Sequence, residues 1–257
     1  MLTPEQLPQR IQALGWVPEV YLRGAPLADG PAVAIVGARA ASRVGMDRAH
    51  ALGRHLSARG VHVVSGGALG IDGAAHRGAL AGGGSTTVVL GSGVDMLYPV
   101  RHAPMFREVL GRGGTLAALV PDGTAPRRPL FPQRNRLIAA LADLVIVVEA
   151  ELASGSMSTV AAANSFGRAV AAWPGSAGCD RLLAGGAAIV ESSGDADRAL
   201  AGDPRRATAA APAIDPIAQQ VCEAIAAGAS GLDDIIRHTG LTVRAVLRAL
   251  PMIERKQ

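Results

Sequence analysis

From Pro31 onward the chain alternates short apolar, β-branched runs with longer amphipathic stretches. The runs are AVAIVG (32–37), VHVVSG (61–66), TTVVLG (86–91), TLAALV (115–120), DLVIVVEA (143–150) and AVAAWPG (169–175). Most are nearly continuous in apolar character, which predicts parallel strands covered on both faces. Between the first two, MDRAHALGRHLSARG puts Ala49, Leu52 and Leu56 on one side and Arg48, Arg54 and Arg59 elsewhere. That pattern predicts a helix with one buried stripe, and Gly60 is its expected stop. Repeated strand–helix–strand units predict a doubly wound α/β domain with right-handed crossovers over residues 31–200. Residues 1–30 predict a short helix and an extended lead-in, VYLRG, packed beside the sheet. AGDPRRATAAAPA (201–213) has the Ala/Pro composition of a linker, and residues 214–257 predict a small domain of three short helical units.

In such sheets ligands sit outside the carboxyl ends of the strands, and those ends carry the unusual residues here. VAIVG runs into ARAASRVG, VHVVSG into GALGIDGAAH, VVLG into SGVDMLYP, and VIVVEA into ELASGSMST. The turn SGSMS precedes a helical TVAAANSF. A helix N-terminus with bare N–H groups and small hydroxyl residues is a natural anion site, although Gly and Ser also simply make tight turns. Several such turns at one sheet edge, together with arginines, favour the functional reading.

Charge sharpens that picture. The net charge is only +4, and 24 of the 25 basic residues are arginine, the exception being Lys256. Arginine richness alone has little weight in so Ala- and Gly-rich a chain. Placement has more: Pro121 to Leu137 holds Arg127, Arg128, Arg134 and Arg136 against Asp122, a local balance of 4 − 1 = +3. Guanidinium groups offer planar, bidentate donors suited to phosphate. A hydrophobic fraction of 49% and 32 glycines describe a compact, turn-rich globular chain. No apolar run reaches the length of a membrane span, and MLTPEQLPQRIQALGW lacks the apolar stretch of a signal peptide. Cys179 and Cys222 lack metal-ligand spacing, and reduced thiols in a cytoplasmic protein are the expectation.

Several enzyme classes lack their residues. The first strand is followed by GARAASRVG rather than G-x-G-x-x-G, and the second ends in Ser65 rather than an acid. No lysine follows a glycine-rich loop, which removes a P-loop ATPase, and no G-x-S-x-G is present. The histidines at 50, 55, 62, 76, 102 and 238 show no metal-ligand pairing. Asp72 and His76 stand four apart on one helical side. An acid–base pair and a hydrogen-bonded brace for the glycine turn both fit, the brace being the commoner arrangement.

VAIVGAR, VVSGGALGIDGAAHRGAL, VVLGSGVDMLYP, FPQRNRLIAAL, VVEAELASGSMST and WPG with GCDRLLAGGA occur in the order seen in the DNA-processing protein A family (DprA/Smf). The chain resembles that family over roughly residues 20–195, and the FP-x-RNR-x-I-A block is the most specific element. The resemblance implies an extended Rossmann-like domain that binds single-stranded DNA without enzymatic turnover and without a cofactor. It implies a homodimer that helps load the RecA recombinase onto incoming DNA during natural transformation. Carried over by position, Arg39 matches the arginine of a G-S-R motif, with Ala38 in place of serine. Ser65, Gly66 and Gly67 match the opening of the second glycine turn, although many relatives have leucine or methionine where Gly67 stands. Arg134, Asn135 and Arg136 match the RNR block, and Ser154, Gly155 and Ser156 the S-G-S turn. Leu69 replaces a usual arginine, which removes a charge from the expected rim. The family's N-terminal sterile-alpha-motif-like domain is not expected within residues 1–30, and the C-terminal segment resembles its winged helix with little room for a wing.

A single strand exposes phosphates and unstacked bases, so its receptor needs cations, N–H donors and a flat apolar surface. Arg127, Arg128 and Arg134 are expected to supply charge, the SGS turn backbone donors, and Phe131 a face for a base or sugar. Pro129 and Pro132 are expected to hold this segment as an extended loop, with the helix beginning at Asn135 and Arg136. One of those two could tie the loop to Glu149 or Glu151. The main rival is a nucleotide-processing enzyme of the lonely-guy (nucleoside monophosphate phosphoribohydrolase) type. That class uses P-G-G-x-G-T-x-x-E, whereas the turns here, SGGALGID and ASGSMSTV, lack the glutamate; release of free base from nucleoside monophosphates would separate the two. A third reading makes the C-terminal helices a duplex reader. Residues 214–257 carry five acids and five bases, a balance of 0, which argues against groove binding.

Overall fold

The computed structural model describes residues 1–206 and, within 216–247, all but 227, 228 and 230. The apolar runs become a single eight-stranded sheet: β1 (Tyr21–Gly24), β2 (Ala32–Val36), β3 (His62–Ser65), β4 (Thr86–Leu90), β5 (Thr115–Ala118), β6 (Leu144–Val147), β7 (Ala169–Ala172) and β8 (Ala188–Ile189). Their order is β1-β5-β4-β3-β2-β6-β7-β8. All pairs are parallel except β1 with β5, which is antiparallel. The lead-in VYLRG thus joins the sheet as its edge strand rather than packing beside it. Every residue of β2, β4, β5 and β6 is buried, as an apolar run between two helical layers requires.

One layer holds α2 (Arg43–Ala58), α3 (Ile71–Ala81) and α8 (Ser193–Leu200), which bury Leu52, Leu56, Ile71 and Ala196 against Ile35 and Ile146. The other holds α1 (Gln9–Gln12), α5 (Leu130–Ala140), α6 (Ser156–Ser165) and α7 (Ala177–Ala184), which bury Ile11, Leu137, Val160 and Cys179. α4 (Ala103–Gly111) places Phe106 and Val109 over β4 and β5. Ser42 caps α2 by accepting the Gly45 amide at 2.9 Å, and Gly60 follows the helix at φ 78°.

The α5 segment departs from expectation. FPQRNR is helical from Leu130, not an extended loop. Pro129 is the N-cap and Pro132 the third helical residue, positions whose missing N–H deprives no intrahelical bond.

The chain divides into two compact units, Met1–Ala207 and Thr208–Gln257. In the second, α9 (Pro216–Ala226) and α10 (Leu232–Thr239) enclose Val221, Ala224, Ile235 and Val246. The expected linker beyond Arg206, most of the third helical unit and the Cys222 side chain lie outside the described residues.

Candidate nucleic-acid interface

The chain winds from β2 outward to β5, then returns to the other side of β2 as β6, so the sheet's direction of growth reverses between these two strands. Beyond their carboxyl ends lies an open groove of about 670 Å³. It is lined by the 37–40 turn, the exposed faces of Arg128 and Phe131, and the Ser154–Ser156 turn ahead of α6. Beside it, toward β3 and β4, a smaller hollow of about 180 Å³ lies among Leu69, Gly91, Tyr98 and Phe131. This is where a doubly wound sheet presents loops and helix N-termini to a ligand.

Arg39 is exposed, and its guanidinium lies 5.1 Å from the Phe131 ring centroid. Tyr98 stands against the same ring at 6.0 Å, tilted by 43°. Arg127 and Arg128 are exposed just ahead of α5. This rim therefore joins exposed positive charge to aromatic surface, the two things an unpaired strand engages.

Arg134 occupies a different position. It is 6% exposed, donates from Nη1 to the Val89 carbonyl at 3.0 Å, and lies 4.0 Å from Asp72 Oδ2. Its Nε has no partner. Burial pulls its pKa down, and the neighbouring Asp72 carboxylate opposes the shift. Conversely, burial pushes Asp72 up, and Arg134 counters it. The guanidinium closes on Gly66: a Cβ there would be 1.3 Å from Nη1. Arg134 thus forms the floor of the groove rather than a free rim charge.

Around that floor the motif residues brace one another. Ser65 is fully buried and donates to the Ile35 carbonyl at 2.6 Å, so its hydroxyl serves the sheet rather than the groove. Gly67 adopts φ +68°, where a Cβ would press on Val88 and Phe106; its carbonyl accepts from His102 Nδ1 at 2.9 Å. Asp72 accepts the Ala68 amide at 3.3 Å and so braces the glycine turn. His76 does not pair with Asp72. Thr86 donates its proton to Val63 O, so its oxygen accepts from His76 Nδ1 at 2.9 Å, leaving a neutral ring whose Nε2 has no partner. Burial holds the His76 pKa down at about 3.

The RNR block spreads over three directions. Asn135 donates to the Gly155 carbonyl at 3.2 Å and to Ser158 Oγ at 2.7 Å, tying α5 to the start of α6. Arg136 faces away from the groove, stacked over Trp16 at 5.0 Å and Phe166 at 5.2 Å. Neither reaches Glu149 or Glu151. Glu149 is taken up by Ser42, accepting its amide at 2.8 Å and its hydroxyl at 2.5 Å. In the SGS turn, Ser154 and Ser156 bond each other at 2.8 Å, and the Met157 and Ser158 amides close onto Ser154 and Gly155. The donors expected from that turn are therefore partly spent locally, and Gly155 is its exposed member. The sequence marks Tyr98 only as part of a strand-end turn, and His102 only as one of six histidines without metal-ligand pairing.

A family model described as DNA recombination-mediator protein A matches residues 2–200, and one for the DprA winged helix domain matches residues 205–254. A DNA processing protein DprA of Mycobacterium tuberculosis is 42% identical over 236 residues, covering 87% of this chain and 60% of that protein. The DprA of Streptococcus pneumoniae is 40% identical over 171 residues, 64% of this chain and 60% of its own length. This chain therefore spans about 60% of the length of these curated relatives. The solved S. pneumoniae DprA superposes with a TM-score of 0.70 at 33% identity, covering 78% of this chain and 72% of that one. DNA processing protein A of Helicobacter pylori, described for its single-stranded DNA binding mode, gives a TM-score of 0.70 at 30% identity, covering 77% and 94%. The groove, the glycine turns and the α5 block that build it lie within the matched region, and the chain belongs to the DNA recombination-mediator protein A (DprA/Smf) family.

Proposed function

We propose that this chain is a single-stranded DNA-binding recombination mediator, which protects incoming DNA and helps load RecA onto it during natural transformation, acting as a homodimer. The observation that carries the reading is the exposed Arg39 stacked on Phe131 at the lip of the groove between β2 and β6. Cations beside an aromatic face suit phosphates next to unstacked bases, and a duplex hides its bases. The H. pylori relative's reported single-stranded DNA binding supports the same assignment. Arg39, Arg127 and Arg128 meet phosphate, Phe131 meets a base or sugar, and Arg134, Asn135, Ser65 and Gly67 hold these groups in place.

The deciding experiment titrates a single-stranded oligonucleotide and its duplex across salt concentrations. The single strand is expected to bind more tightly, with a log–log salt slope of about −0.7 per phosphate contact. Equal affinity for both, or preference for duplex, would overturn the reading. RecA loading has its own readout: the lag before RecA hydrolyses ATP on protein-coated single strand is expected to shorten when this protein is added. Sedimentation at micromolar concentration is expected to show a dimer.

A further inference from the structure

The two ends of the groove differ in chemistry. Glu151 already lines one end of the groove, and it is shared with an adjoining hollow of about 440 Å³ that adds Glu149, with Arg48 the basic residue among its lining. The Arg48 guanidinium is turned onto Trp173, 4.8 Å from its ring centroid. A phosphate leaving by that end would meet carboxylates. At the other end the groove meets the connection between β4 and α4, where Met96, Tyr98 and Val100 alternate outward at 40%, 45% and 76% exposure. Leu97 and Pro99, between them, are half-buried.

This apolar row is held in place. Ser92 Oγ donates to the Met96 carbonyl at 2.7 Å, the Met96 amide to Gly93 O at 2.9 Å, and His102 Nδ1 to Gly67 O at 2.9 Å. A braced segment that keeps three large apolar side chains in water marks a surface that is covered in use. Arg101 stands exposed beside Val100, and Asp95, next to Met96, is an exposed acid whose two oxygens accept the Gly123 amide at 2.9 Å, with Asp122 a second exposed acid. Continuity decides the occupant. Tyr98 lines the hollow beside the groove and touches Phe131, so whatever lies on Phe131 can pass directly onto the row.

We infer that single-stranded DNA leaves the groove over this β4–α4 ledge, with successive bases resting on Tyr98, Met96 and Val100, and does not continue past Glu149 and Glu151. The inference rests on the groove being a single-strand site and adds its direction of exit and a second contact surface.

The test uses the full chain and fluorescein-labelled oligothymidylates of about 5 and about 15 nucleotides, spanning the range of lengths one such site covers. Two variants are compared with wild type: Met96→Ser with Val100→Ser on the ledge, and Val44→Ser at the acidic end, all at exposed positions. Wild type is expected to bind the longer strand more tightly than its extra registers explain. The ledge variant is expected to lose about tenfold in affinity for the longer strand while binding the shorter one within twofold, with an unchanged salt slope. Val44→Ser is expected to behave as wild type. A ledge variant that keeps full affinity for the longer strand overturns the inference and leaves the row to a protein partner. Loss in Val44→Ser instead reverses the exit and also overturns it. Failure of the wild type to bind either strand removes the underlying reading of the groove, an outcome visible before any variant is measured.

Discussion

Arg39 and Arg134 carry the same side chain and line the same groove, yet the fold gives them opposite work. Arg39 is solvated and free to meet phosphate, so Arg39→Ala is expected to weaken single-strand binding by one to two decades. The salt slope becomes shallower by about 0.7, and the melting temperature stays. Arg134 is buried on Gly66 beside Asp72, and Arg134→Ala leaves that carboxylate without its countercharge. The expected result is a loss of about 3 kcal/mol in unfolding free energy, read from denaturant titration. An unchanged stability together with a shallower salt slope would return Arg134 to the phosphate contacts. The RNR spelling was legible in the sequence; the direction of each side chain was not, because exposure is decided by the strands that α5 happens to cover. His76 shows the same limit. Its burial beside Thr86 sets its pKa near 3, below the unfolded value of 6.5, so the unfolded chain binds the extra proton. Stability is full above pH 6.5 and falls as pH drops toward 3, by about 1.4 kcal/mol per unit. His62, held down at about 4 by burial, adds a slope of the same sign, so His76→Gln is expected to reduce the fall in stability, read from melts between about pH 6 and 4, by roughly half.

Elements were far easier to read than side-chain directions. Six apolar runs became six central strands, each trimmed at its ends by one to four residues. β8, only two residues long, carries too little pattern to be seen, and VYLRG gives no alternation that would reveal an antiparallel edge. PLFPQRNR misled because two prolines ordinarily break a helix, whereas here they occupy its cap and first turn. That helical start has consequences. It sends Asn135 to the mouth of α6 and Arg136 to Trp16 and Phe166, so consecutive residues fasten α5 to the two ends of α6. Asn135→Ala removes both bonds and frees the SGS turn. Binding is expected to weaken about three- to tenfold with the salt slope unchanged, since no phosphate contact is lost, at a stability cost of about 1–2 kcal/mol. A shallower slope would instead make Asn135 a direct contact.

At the scale of the whole molecule, the Ala/Pro composition anticipated a division near residue 201, whereas the first compact unit runs on to Ala207. The difference is physical. Residues 203–206 are not a free linker: the Ile189 amide donates to Arg205 O at 2.7 Å, and Arg206 donates to the Gly186 carbonyl at 2.6 Å. Arg205 also pairs with Glu191 and stands near Asp195. Burial alone would raise the Asp195 pKa, but Ser192, Arg198, the Glu191 amide and Arg205 together hold it down at about 2. The tail thus closes the outer edge of β8, which would otherwise present unpaired backbone groups. The two units make separate cores, and the second is electrically neutral, so single-strand binding should reside in the first. Ending the chain after Ala207 is therefore expected to give a folded protein that binds single-stranded DNA within about threefold of the full chain. Ending it after Leu200 removes the Arg205 and Arg206 contacts while sparing every groove residue. That shorter chain is expected to melt several degrees lower yet keep its affinity at temperatures well below the transition. If the Ala207 form melts as the full chain does but no longer binds, the groove between β2 and β6 is not sufficient, and the second unit must supply the missing contacts.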